Sequence, residues 1–95
     1  MFKFKNDGSI FSDKGFMIKI LGRAGLEYSE GDKTMFIDSE IVNNRNVGYV
    51  IASSSISRWN GSTKKINHAE HQRILLNLKD AFKFIGYDIR IISSF

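Results

Sequence analysis

Ninety-five residues with a net charge of +4 and no cysteine or proline bound what this chain can be. A core of this size supports a single domain, residues 1–95, and not a cleft between two lobes, which counts against a multi-substrate enzyme. The lack of cysteine excludes disulfides and thiolate metal sites and fits a reducing cytoplasm, while 42% apolar and 25% charged residues describe a folded globule and not a disordered chain.

The N-terminal run MFKFKNDGSIF is interrupted by Lys3, Lys5, Asn6 and Asp7, so it lacks the apolar core of a signal peptide. Its alternating FKFK, Phe2 to Lys5, predicts a short edge strand. No apolar run approaches the roughly 18 residues that suggest a membrane span, so a protein that stays in the cytoplasm is expected. Gly15 to Gly22 predicts a strand bounded by glycines, with Phe16, Ile18 and Ile20 on one face and Met17, Lys19 and Leu21 on the other.

A hairpin follows. Leu26 to Glu30 and Lys33 to Glu40 flank the pair Gly31-Asp32, and a two-residue loop with Gly first suits a type II′ turn. That loop length sets Glu30 opposite Lys33, Ser29 opposite Thr34, Tyr28 opposite Met35, Glu27 opposite Phe36 and Leu26 opposite Ile37. Because side chains alternate between faces, Leu26, Tyr28, Met35 and Ile37 form the core face. Glu27, Ser29, Thr34, Phe36, Asp38 and Glu40 share the other, where Phe36 is the one apolar group among carboxylates.

Asn43 to Asn46 predicts a turn and Val47 to Ala52 a strand, after which Ser53 to Trp59 bends away and Asn60 to Thr63 loops. Asn67, with Glu70 three residues on, has the form of a helix start. The helix is expected to run to about Ile85, with Ile74, Leu75, Leu78, Ala81, Phe82 and Ile85 as its buried stripe and Gly86 ending it. In the last strand, Tyr87 to Ile92, Tyr87, Ile89 and Ile91 point inward. The expected fold is α+β: an antiparallel sheet of about five strands with one long helix before the last strand, packed on one face, and the other face largely solvated.

No catalytic constellation emerges. His68 and His71 lie three apart with Glu70 between them, which is neither a metalloprotease spacing nor a full zinc ligand set. Asp38 and Glu40 share a strand face without a pocket to separate their pKa values. Ser53 to Ser55 has no assigned base, and Gly22 to Gly25 is not a phosphate loop. The expectation is a non-enzyme without catalytic residues, metal or cofactor.

Two binding classes remain. Lys64, Lys65, Arg73, Lys79 and Lys83 could meet nucleic acid, but the helix cations alternate with acid and apolar residues as on an ordinary solvated face. A protein-binding patch is the stronger reading. Glu27, Glu30, Asp32, Asp38 and Glu40 against the single Lys33 leave Leu26 to Val42 at net −4 on a body that is otherwise +8. Phe36 ringed by Glu27, Asp38 and Glu40 has the make-up of an anchor within a steering rim; its simpler alternative is packing beneath FKFK or a loop. Arg58 and Trp59 form a second candidate anchor, with the alternative that Trp59 caps the core edge and Arg58 lies on its ring.

The run EGDKTMFIDSE, then SSSISRW, then a helix ending in AFKFIGYDIRI, resembles immunity protein family seventy-four of bacterial polymorphic toxin systems, over roughly Lys19 to Ile92. The resemblance implies a small cytoplasmic antidote of a polymorphic or contact-dependent toxin. Such a protein binds the cognate toxin's C-terminal effector domain, which could be a nuclease, and blocks it without chemistry of its own. The motif positions carried over are Glu30, Asp32, Asp38 and Glu40, then Ser55, Arg58 and Trp59. A monomer or weak dimer when free is expected, with no membrane partner and with nucleic-acid binding as the alternative function.

Overall fold

The computed structural model describes residues 1–22, 25–42 and 48–95. The turns expected over Gly22 to Gly25 and Asn43 to Asn46, and the strand start expected at Val47, lie wholly or partly outside the described residues. Strands β1 (Phe2–Phe4), β2 (Ser9–Ser12), β3 (Phe16–Ile20), β4 (Leu26–Glu30) and β5 (Lys33–Ile37) form an antiparallel meander in that order. β2 has no strong sequence pattern of its own. A tight turn creates it: Gly8 N donates to Lys5 O (3.1 Å), Lys5 N to Ser9 O (2.8 Å), and Asp7 Oδ1 accepts from Ser9 N (3.1 Å).

The β4–β5 hairpin has the predicted register, from Glu30 opposite Lys33 to Leu26 opposite Ile37. Gly31 takes φ 61° and Asp32 keeps a negative φ, which is the type II′ pattern. Ile10, Phe16, Ile18, Leu26, Tyr28, Met35 and Ile37 are buried on the inner face. Each fully buried aliphatic among them stabilises by about 2 kcal/mol relative to exposure.

The helix α1 (His68–Phe84) packs into the same core, with Ile74, Leu78, Ala81 and Phe82 buried. Asn67 caps it by accepting from Glu70 N (2.8 Å). Ile85 is its C-cap, and Gly86 N to Lys83 O (3.1 Å) with Tyr87 N to Phe82 O (2.9 Å) closes it in a Schellman pair.

At Asp38 the chain leaves the first sheet. Asp38 N donates to Ser55 Oγ (2.9 Å), and its carbonyl accepts from Ala52 N (3.0 Å). Ser55 belongs to a short 3-10 turn, Ser53–Ser55, and its hydroxyl donates back to Ala52 O (2.6 Å). Beyond this pin, β6 (Ser39–Ile41), β7 (Tyr49–Ala52) and β8 (Ile89–Ile92) make a second sheet, in which β6 and β7 are antiparallel and β7 and β8 parallel. The parallel pair follows from connectivity, because α1 lies between the two strands and returns the chain to the same end.

The last strand therefore differs from expectation at its start. Tyr87 precedes β8, stands 48% exposed and sets its ring edge on Tyr49 at 5.7 Å, so it is not an inward strand residue. No helix among the described residues is long and apolar enough to cross a membrane.

Candidate functional site

The face of the first sheet away from α1 collects the side chains that alternate with the core. Ser9, Lys19, Glu27 and Phe36 succeed one another across it by strand register. Asp38 is exposed at the bend, and Glu40 is exposed in the second sheet, where its register partner is Val50, itself opposite Arg90. Phe36 is 44% exposed. Its ring lies over the backbone of Gly25, whose φ of 124° and bare Cα let it approach. Phe36 thus packs on its own sheet and does not sit beneath the N-terminal strand.

This face is mixed in charge. Lys19 is the cross-strand partner of Glu27, so this acid borders a basic region where Lys3 and Lys19 are exposed. Lys5 adds to the basic side, its Nζ 4.6 Å from the centre of the Phe11 ring. Asp32 is exposed at the hairpin tip.

Glu30 and Trp59 are placed elsewhere. Glu30 shares the alternation of Leu26 and Tyr28 and so faces α1, where Arg73 grips it through Nη2 to Oε1 (2.7 Å) and Nε to Oε2 (3.2 Å). Tyr28 Oη donates to Glu30 Oε2 (2.6 Å) and accepts from Asn77 Nδ2 (2.8 Å). Burial pushes the Glu30 carboxyl up, but the hydrogen bonds from Arg73 and Tyr28 outweigh it and hold Glu30 below its usual range. Burial and the Glu30 carboxylate push the Tyr28 phenol well above its ordinary value. Glu30 is a sheet-to-helix strut, on the opposite side from Phe36.

Trp59 is 9% exposed and stacks on Tyr28 at 6.1 Å between centroids, with Nε1 3.4 Å from Glu70 Oε2. The cation over its ring is Lys33, at 5.3 Å, and Arg58 is exposed. Trp59 has the packing of a lid on the core edge, its indole lying between Tyr28 of the hairpin and Glu70 at the start of α1. The next residue, Asn60, donates its backbone N–H to Thr34 O (2.7 Å) and Nδ2 to Thr34 Oγ1 (3.0 Å), which covers the outer edge of β5. Of the eight residues singled out in the sequence, Glu27 and Phe36 are cross-strand partners on the outer face of the first sheet; Asp32, Asp38, Glu40 and Arg58 are exposed outside that sheet's strands; Glu30 and Trp59 turn to the core side.

His71 places Nε2 3.0 Å from Ser53 O, and among the described residues no three metal-capable side chains converge. Arg73, one of the helix cations, is committed to Glu30.

A second concave region escaped the sequence reading. Phe4, Ile20, Tyr49, Phe84, Ile85 and Tyr87 line a groove of about 480 Å³ where the end of α1 meets the sheets. Phe4 and Phe84 are 54% and 49% exposed there. The only sequence signal was Phe84, an aromatic off the buried stripe of the helix. Comparison with family models, with curated proteins and with solved structures finds no match for this chain.

Proposed function

We propose that this protein is a cytoplasmic, non-enzymatic immunity protein that binds and neutralises the C-terminal effector domain of a cognate polymorphic or contact-dependent toxin. The observation that carries the reading is Phe36, a large apolar ring held half out of the sheet by its seat on Gly25, with Glu27 as its cross-strand partner and the exposed Asp38 and Glu40 following it along the chain. An exposed aromatic fixed in place costs little entropy on docking, and the carboxylates around it steer a basic partner. The order of the EGDKTMFIDSE, SSSISRW and AFKFIGYDIRI motifs supports the same reading. A contact area of about 800 Å² per partner, centred on Phe36, suffices for a specific complex.

The test is co-purification of the tagged protein with the product of the gene immediately upstream, followed by calorimetry. A one-to-one complex with a toxin domain is the expected result. Retention of nucleic acid at low salt, lost steeply as salt rises, with no protein partner, would overturn it in favour of a small nucleic-acid-binding domain.

A further inference from the structure

The two lateral edges of the first sheet are treated differently. On the β5 side, Asn60 takes up Thr34 O and the Thr34 hydroxyl, and both backbone groups of Asp38 are engaged by Ser55 and Ala52. On the β1 side, the described residues offer no such cover, and β1 pairs only with β2. The direction of its free groups follows from two hydrogen bonds. Asp13 N donates to Met1 O (3.1 Å) and Lys5 N to Ser9 O (2.8 Å), so odd-numbered residues of β1 turn their backbone toward β2. By alternation, the N–H and C=O of Phe2 and Phe4 point away from the sheet, as a template for another strand.

The side chains along this edge sort into two faces. Phe2 and Phe4 are register partners of Ser12 and Ile10 and face the α1 side, where Phe2 meets Phe84 at 5.4 Å and Phe4 lines the aromatic groove. Lys3 and Lys5 face the other way, and Lys83 is exposed beside Phe84. A strand laid along β1 would therefore find apolar surface beneath every second side chain and lysine opposite the ones between.

That pattern discriminates between occupants. A second copy of this chain, pairing antiparallel about Lys3 or about Phe4, would set Lys3 directly against Lys3 or Lys5 of that copy, and like charges opposed across strands destabilise pairing. An incoming strand with carboxylates at those positions would gain where the self-pair loses. We propose that the β1 edge and its groove form a docking site for an extended segment of another polypeptide that alternates acidic with apolar residues, bound by strand addition to Phe2 and Phe4. Of the acids beside this strand, Asp13 pairs with the Met1 amino group (2.7 Å) and Asp7 accepts from Ser9 N in the β1–β2 turn, and the selection for acid rests on Lys3 and Lys5. This site lies along β1, at the opposite edge of the sheet from β5 and Phe36, although Lys3 and Lys5 share the face of Phe36, and it stands independently of the function proposed above.

The test uses a short synthetic peptide alternating glutamate and valine, with a lysine-for-glutamate version as its counterpart, added to the intact protein and followed by amide hydrogen exchange and chemical-shift mapping. The expected result is slowed exchange at the Phe2 and Phe4 amides with the glutamate peptide and none with the lysine peptide. Phe4→Pro removes an N–H that β2 does not use and leaves the fold in place, and it should weaken peptide binding by about tenfold. Lys3→Glu should reverse the preference between the two peptides. Failure of the glutamate peptide to protect these amides at millimolar concentration would overturn the proposal, as would binding mapped to Phe36 or concentration-dependent self-association protecting the same amides without peptide.

Discussion

The Phe36 ring rests against Gly25 so closely that a Cβ built on that glycine would stand 2.8 Å from Phe36 Cζ and 2.7 Å from the Ile37 carbonyl oxygen. An aromatic laid over a strand-flanking glycine shields backbone that has no side chain of its own. The contact also orients the ring, so the candidate anchor and the glycine act as one unit.

Gly25→Ala should therefore destabilise the fold by about 2 kcal/mol or more, since it combines a disfavoured positive φ with a clash against backbone. Gly15→Ala is the control: its φ is also positive, at 95°, but open space surrounds it. Chemical denaturation of both variants separates close approach from strain alone, and equal losses would show that the Phe36 contact contributes nothing.

Phe36→Ala should cost about 1 kcal/mol or less of stability, because much of the ring is already in water. The same change should weaken the toxin complex by about tenfold or more if the ring is a central anchor. Thermal melting and calorimetry on one preparation read both quantities. A midpoint lowered by much more than about 8 °C would instead make Phe36 a core residue.

The Glu30–Arg73 pair gives a pH dependence with a definite sign. The folded-state pKa of Glu30 is depressed, so its contribution is complete above the unfolded value of roughly 4.3 and is lost as pH falls through the lower folded one. Glu30→Gln should flatten the stability profile in that acidic window. Arg73→Met leaves the carboxyl with its burial cost and only Tyr28 as a nearby donor, and should lower stability at neutral pH by about 1–2 kcal/mol after solvent screening of the half-exposed arginine. Denaturation midpoints between neutral pH and about pH 3 check both variants.

Trp59→Ala should lose about 3 kcal/mol, as expected for removing a core aromatic, whereas Trp59→Phe keeps most of the stacking on Tyr28. Trp59 is the only tryptophan, so its fluorescence should be that of a buried indole and shift to the red in a single step on unfolding. If the Phe variant folds normally yet loses partner affinity, Trp59 is an anchor after all.

Much of the local structure was legible beforehand. The Gly31-Asp32 loop dictates the hairpin register, and the register dictates that Phe36 faces away from Tyr28 and Met35. Asn67 and Gly86 mark the helix ends to within a residue. The side of Glu30 follows from the same alternation, since it has the parity of Leu26 and Tyr28. Ser55, carried over as a motif residue, acts here as the pin at Asp38.

Amino-acid order alone thus determined the α+β class, the hairpin and the capped helix, because turn chemistry and side-chain periodicity act over a few residues. Tertiary structure alone decided that Arg73 reaches Glu30 across 43 positions, that β8 returns parallel to β7 in a second sheet, and that Phe4, Tyr49, Phe84 and Tyr87 meet around one groove. Those contacts depend on where the chain is carried between elements. Local propensity sets which face a residue occupies, and only the packed path sets what it meets there.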